Sequence, residues 1–313
     1  MDPLLSYDNI CLYPNHSCLK SRSLADTTAS LCGWKFILPV VPANMQDVID
    51  FSNAEYLSKY DYFYIMHRFN GATPNFIPYA NERGFKLISV SIGTKDYEKD
   101  LVSPDYRIDF ITIDVAHGFH DNVIPVIEYV RSNYPKAKLI VGNVATREGV
   151  KFLTGLGADI IKCGIGGSQI CTTRFKTGFH VPTLQSVVYA QEALNDMNLH
   201  IPIIADGGAK HYGDVAKALT MGASFVMSGS WFASCINSPA KIKNGKKIYR
   251  GSTSFEMKGH NNHIEGKTLE LDEAITYSDR LIEIEQALQS SISYAGGKDL
   301  SAFKSVKWGR INL

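Results

Sequence analysis

The sequence predicts an α/β fold, a single (β/α)8 barrel, and three observations carry that expectation. Short apolar, β-branched runs occur eight times, at Phe36–Val41, Tyr62–Met66, Leu87–Ile92, Phe110–Ile113, Leu139–Val141, Ile160–Ile161, Ile201–Ala205 and Phe225–Met227. They lack polar alternation, as strands buried on both faces of a parallel sheet do. Most lie roughly 20–28 residues apart, room for a loop, a helix and a second loop. The length of 313 residues suits one barrel, which takes ~250 residues and tolerates long loops.

Residues 1–35 read as an irregular segment over one barrel end, because Pro3, Pro14, clustered Ser and Thr, and Cys32-Gly33 break any period. Helices between strands are expected at Asp121–Asn133, Arg147–Gly155 and Gly213–Met221, each with a polar or charged start and apolar residues three or four apart, with Thr146 as an N-cap. Two connections exceed this rhythm. The one after strand six carries a Gly-rich loop with a cysteine and a helix near Thr183–Met197. The one after strand eight, within a flap over residues 231–271, holds a hairpin at 241–250 that turns at Asn244-Gly245. A last amphipathic helix is expected over 272–292, and nothing in the pattern divides residues 1–313 into further domains. Long loops on a rigid barrel are where function sits.

The near-zero net charge, +1, gives no nucleic-acid footprint and points to small-molecule chemistry. Six cysteines without CxxC pairing read as reduced thiols, against both a disulfide framework and a metal cluster. The first residues lack a basic stretch followed by an apolar core, and no apolar run reaches the ~20 residues a membrane span needs. A cytoplasmic protein with no membrane partner is expected.

A barrel of this kind builds its site at the C-terminal ends of its strands, so the residues after each run are read together. Asp206-Gly207-Gly208 follows strand seven and Ser228-Gly229-Ser230 follows strand eight, the two positions where barrels bind phosphate through backbone N–H groups. Ser168 from the Gly-rich loop completes that cradle. Asp206 repels phosphate but accepts hydrogen bonds from a ribose diol, so the pair of signals spells a nucleotide. Cys171 stands in a polar loop five residues past Gly166, with Arg174 and Lys176 near it to favour a thiolate nucleophile. Thr173 and Glu265 say little alone, and His67, His117 and His120 make no metal triad.

These residues belong to longer matches. Tyr7-Asp8-Asn9-Ile10-Cys11-Leu12, Pro42-Ala43-Asn44-Met45, Tyr64-Ile65-Met66-His67-Arg68-Phe69 and Ile113-Asp114-Val115-Ala116-His117-Gly118 lie in order with the cysteine loop, Ala205-Asp206-Gly207-Gly208 and Gln289 to Gly297. In them the chain resembles the IMP dehydrogenase/GMP reductase family over almost its whole length. Three features bring it nearer the reductase branch. Phe69 to Lys86 leaves no room for the CBS modules that dehydrogenases usually carry, Lys176-Thr177-Gly178 follows the cysteine, and Ile264-Glu265-Gly266-Lys267 stands in place of the dehydrogenases' Arg-Tyr pair.

The resemblance implies conversion of GMP and NADPH to IMP, NH3 and NADP+ in purine metabolism, by a homotetramer. A CBS-less IMP dehydrogenase, oxidising IMP to XMP with NAD, and a silent nucleotide-binding paralogue are the alternatives. By the same resemblance, Cys171 adds to purine C2 as a covalent thioimidate, while Thr173 and Glu265 relay the proton that ammonia needs to leave. Gly166, Ser168, Gly207, Gly208, Gly229 and Ser230 hold the phosphate, Asp206 the ribose, Ser252, Thr253 and Gly266 the purine edge, and Asp114 and His67 the nicotinamide. A monovalent cation, K+, goes to the backbone carbonyls of Gly164, Gly166 and Cys171. One departure stands out. The family's Gly-Ile-Gly-Pro-Gly is here Gly164-Ile165-Gly166-Gly167-Ser168, which frees the loop at one position and restricts it at the next.

Overall fold

The computed structural model describes residues 3–254 and 265–311. Before the barrel come β1 (Ile10–Leu12), β2 (Ala29–Leu31) and β3 (Trp34–Phe36). The barrel strands are β4 (Val40–Pro42), β5 (Ser89–Ile92), β6 (Phe110–Asp114), β7 (Lys138–Val144), β8 (Ile160–Cys163), β9 (Ile203–Asp206) and β10 (Phe225–Ser228). These seven form one parallel, curled sheet in the order β5-β6-β7-β8-β9-β10-β4. The run Tyr62–Met66 forms no ladder strand of its own and joins β5 by one parallel bridge, Met66 to Val90. There Met66 N–H donates to Ser89 C=O and Ser91 N–H to Met66 C=O, each at 2.9 Å. Helices flank the sheet, giving the (β/α)8-like barrel expected from the hydrophobic rhythm.

The N-terminal segment is less irregular than its composition suggests. Cys32 (φ 49°) and Gly33 (φ 90°) form a tight turn with both φ positive, joining β2 and β3 as a hairpin. Phe36, read from sequence as the start of the first barrel strand, ends that hairpin. Its ring packs 5.1 Å from Phe63 and 5.9 Å from Phe225, and Phe63 packs 5.2 Å from Phe110. Phe110 and Phe225 open their strands, so this aromatic cluster fills the N-terminal mouth of the barrel and leaves the C-terminal mouth for chemistry. β1 pairs antiparallel with a terminal strand, Trp308–Arg310, tying the two chain ends together.

Local chemistry explains the helices. Thr146 caps Arg147–Gly155, accepting from Gly149 N–H at 3.2 Å. Asp50 does the same for Phe51–Lys59 through Asn53 N–H at 2.8 Å. The expected 121–133 helix begins with a 3-10 turn at Asp121–Val123 and becomes α-helical over Ile124–Asn133, where Pro125 sits in the first turn and needs no N–H partner. The last helix runs over Tyr277–Tyr294, not from 272. Residues Thr268–Asp272 instead add a third strand to the 241–250 hairpin (Lys241–Lys243 and Lys246–Arg250), which turns at Asn244 (φ 53°) and Gly245 (φ 75°). The part of the flap at 255–264, including His263 and Ile264, lies outside the described residues.

Candidate active site

The C-terminal mouth holds a cleft of ~470 Å³, in the range of a small-molecule site. Its wall next to the cysteine is a ribbon of two chain segments. Thr172 N–H donates to Glu265 C=O at 2.7 Å and Lys267 N–H to Ile170 C=O at 2.9 Å, so Cys171 and Gly266 face each other across an antiparallel bridge. The ribbon sets side chains that are distant in sequence into one line. Cys171 Sγ donates to Thr173 Oγ1 at 3.1 Å, and Thr173 Oγ1 donates to Glu265 Oε2 at 2.6 Å. A thiol, a hydroxyl and a carboxylate joined this way can pass one proton along two short hydrogen bonds. The Arg174 guanidinium lies over the Phe175 ring, 4.4 Å from its centroid.

Ser168, Gly207, Gly229 and Tyr249 line both this cleft and a smaller recess beside it, where Gly208 and Ser230 complete the wall. The helix after β10 is a single turn, Ser230–Ala233, so the recess depends on loop N–H groups rather than on a long helix dipole. Gly229 makes room there for Tyr249: a Cβ would overlap its hydroxyl and force the ring to move. Ser252, Thr253 and Gly266, with Gly164 and Gly166, also line the cleft.

Asp114 and Asp206 reach the cleft from β6 and β9, and buried Lys162 on β8 stands between them. Its Nζ is 2.6 Å from Asp206 Oδ2 and 3.1 Å from Asp114 Oδ1. Asn143 Nδ2 donates to Asp206 Oδ2 at 2.8 Å, and Arg68 Nε lies 4.0 Å from Asp114 Oδ2. Burial alone would raise the Asp114 carboxyl, but Lys162 and then Arg68 outweigh it and hold it below the usual carboxylate range. Burial likewise works against the Lys162 ammonium, and Asp206 and Asp114 reverse that, raising it above the usual lysine range. Cys163, next along the chain, is fully buried and pushed up to about 12, first by burial and then by Asp206. It has none of the access of Cys171.

His67 lies elsewhere. It lines a neighbouring pocket with Asp50, Asn70 and Arg250, and Phe69 is the residue common to that pocket and the cleft. Burial lowers its imidazole to about 4 against the opposing pull of Asp47, so it is neutral at pH 7. The Gly164 carbonyl expected to hold a cation already accepts from Asn143 Nδ2 at 2.7 Å. Among the described residues, no group of three or more His, Cys, Asp and Glu is placed to hold a metal ion. Lys162 and Tyr249 carry weak signals in the sequence. The first is one lysine at the end of an apolar run, the second one residue of an alternating hairpin strand.

The cysteine loop meets a local steric constraint where it departs from the family pattern. A Cβ on Gly167 would overlap Thr183 Oγ1, whose hydroxyl donates to the Asp206 carbonyl at 3.3 Å. Thr183 is buried and opens the next helix, so it fills the space that a proline ring or any side chain at 167 would need.

Comparison with known proteins agrees with this geometry. The model for the IMP dehydrogenase / GMP reductase domain matches residues 4–308. The chain is 44% identical over 317 residues to the GMP reductase of Streptococcus suis (strain 05ZYH33), covering 98% of this chain and 94% of that protein. It is 44% identical over 315 residues to that of Streptococcus pyogenes serotype M4, and 43% identical over 315 residues to that of Streptococcus agalactiae serotype Ia, with the same coverage. The chain belongs to the IMP dehydrogenase/GMP reductase family.

Proposed function

We propose that this chain is a GMP reductase, an oxidoreductase that deaminates GMP reductively to IMP, releases ammonia and draws on NADPH. The observation that carries the reading is the Cys171–Thr173–Glu265 line of hydrogen bonds at the cleft wall. As Cys171 Sγ bonds to purine C2, its proton passes through the Thr173 hydroxyl to the Glu265 carboxylate. Glu265, now protonated, returns that proton through Thr173 to the exocyclic amine. The C2–N bond then breaks, ammonia leaves, and the base stays on sulfur as a thioimidate. The two proton transfers use one relay in opposite directions, so Glu265 ends as it began.

Asp206 accepts from the ribose, the recess at Ser168, Gly207, Gly208, Gly229 and Ser230 takes the phosphate, and Ser252, Thr253 and Gly266 meet the purine edge. Asp114, with Arg68 and Phe69 beside it in the cleft, fits an amide-bearing ring with a ribose. NADPH, when bound there, would supply a hydride for C2 after ammonia has gone; the C2–S bond then breaks, freeing IMP, and the Cys171 thiolate regains a proton from solvent. The carbonyls of Gly164, Gly166 and Cys171 would hold a monovalent cation, the Gly164 oxygen using its second lone pair beside the bond from Asn143.

The reading includes a homotetramer in the cytoplasm and a barrel without inserted modules. Between Phe69 and Lys86 the chain holds only a short turn at Phe69–Gly71 and the helix Ala72–Glu82. The test is purified protein with GMP and NADPH, followed at 340 nm with ammonia measured in parallel. GMP-dependent NADPH loss with equal ammonia supports the reading. Turnover of IMP with NAD+ instead would make it a dehydrogenase, and turnover of neither pair would make it a silent nucleotide binder.

A further inference from the structure

We propose that Lys162 is a positioning residue that couples the two halves of the cleft, holding the ribose-facing carboxylate of Asp206 and the cofactor-facing carboxylate of Asp114 on one ammonium. This rests on the proposed function for the identity of the two ligands. The geometry is that of a shared counter-ion. Lys162 is 2% exposed, and the carboxylates it bridges, 19% and 21% exposed in their side chains, keep a face toward the cleft. Its three N–H donors suffice for one bond to each carboxylate. A ribose hydroxyl needs an ionised acceptor in a fixed orientation, and Lys162 provides both conditions at once for two acceptors on non-adjacent strands.

Without the ammonium, two carboxylates share a partly dry floor, and like charges at that range drive one of them to take up a proton. Arg68 stands beside Asp114 and does not replace Lys162 at Asp206, where Asn143 remains as a neutral donor. The other titratable groups facing Asp206 are Tyr7, Cys163 and Tyr249, all raised by burial first and kept neutral below pH 9. A new titration in this region therefore belongs to the carboxylates.

The test measures GMP affinity by calorimetry, and KM and kcat where turnover occurs, from pH 5.5 to 9. The proteins are the full chain, Lys162→Met and the charge-balanced Lys162→Met/Asp114→Asn. The wild type is expected to bind GMP with little pH dependence. Lys162→Met is expected to bind at least ~10-fold more weakly at pH 6 and to recover as pH rises. The double variant, with one carboxylate left beside Asn143, should regain pH-independent GMP affinity while its cofactor KM rises through the loss of the Asp114 carboxylate.

A purely packing role predicts loss of stability in both variants with no pH-dependent affinity. Lys162→Met within twofold of wild type at every pH overturns the proposal, as does a double variant that fails to fold or stays pH-dependent. A wild type that binds GMP but turns over none sinks the functional reading and leaves the affinity comparison standing. A wild type that binds no GMP sinks both.

Discussion

Gly167→Ala tests whether the altered cysteine loop is held by Thr183. The φ of Gly167 lies outside the left-handed region, so the backbone accepts alanine and the penalty is steric. A methyl there overlaps Thr183 Oγ1, whereas the next neighbour, Thr183 Cβ, would be 3.5 Å away, an ordinary contact. Forcing a methyl into a packed site costs about 1–3 kcal/mol. Unfolding entropy of about 2.1 cal/mol/K per residue gives roughly 0.66 kcal/mol/K for this chain, so the substitution lowers Tm by about 1.5–4.5 °C. Thr183→Ala alone loses the hydroxyl's bond to the Asp206 carbonyl, about 0.5–1.5 kcal/mol. The double variant should cost no more than Thr183→Ala alone, because the second substitution vacates the space that the first fills. Calorimetric Tm values for the four proteins give the coupling energy directly. The rate at which iodoacetamide alkylates Cys171 should move in parallel, since Gly167 and Cys171 share one loop. An equal Gly167→Ala penalty with and without the Thr183 hydroxyl refutes the steric argument.

Other outcomes follow from the same geometry. Cys171→Ala abolishes turnover and any covalent nucleotide adduct seen by mass spectrometry. Thr173→Val lowers kcat about 10²–10³-fold while leaving the KM for GMP within about threefold, because only proton transfer is lost; a KM effect larger than the kcat effect contradicts the relay. Asp47→Ala removes the ion pair with Arg250, whose Nε and backbone N–H donate to Asp47 Oδ2 at 2.9 and 2.8 Å. Loss of these charge-assisted hydrogen bonds costs about 1.5–3 kcal/mol, or roughly 2–4.5 °C in Tm. His67, lowered to about 4, binds fewer protons folded than unfolded between pH 4 and 6.5. Stability therefore falls as pH drops through that window, by about 3 kcal/mol in full. His67→Gln should flatten this part of the curve, and an unchanged slope of stability against pH would show that another group sets it.

The barrel was legible because buried parallel strands leave a strong local mark: Phe225 to Met227 or Phe110 to Ile113 can be read without their neighbours. What escaped is what depends on neighbours. Phe36 looks like a strand start and is part of an aromatic plug, because its partners Phe63 and Phe225 come from later strands. Lys247 looks like the outward face of a hairpin, yet it is buried, its ammonium donating to the carbonyls of Ile236 at 2.8 Å and Ser238 at 3.2 Å. The apolar run Ile160–Ile161 stops short of Lys162, although the strand continues to Cys163 and its lysine is met by two carboxylates from other strands. Hydropathy records each lysine as a cost and cannot record its partner.

The same limit governs the candidate site. Cys171 and Thr173 stand out through their Gly-rich loop, but Glu265 lies 92 residues beyond Thr173 in a context that reads as a solvated loop. Its position follows from backbone pairing: Thr172 N–H to Glu265 C=O, and Glu265 N–H to Thr253 C=O at 3.2 Å. These bonds fix the glutamate relative to the cysteine whatever its side chain. A Glu265→Gln variant should therefore keep the ribbon and lose the proton acceptor. If the relay is right, that variant retains GMP affinity and loses turnover, whereas a purely structural carboxylate would lose both.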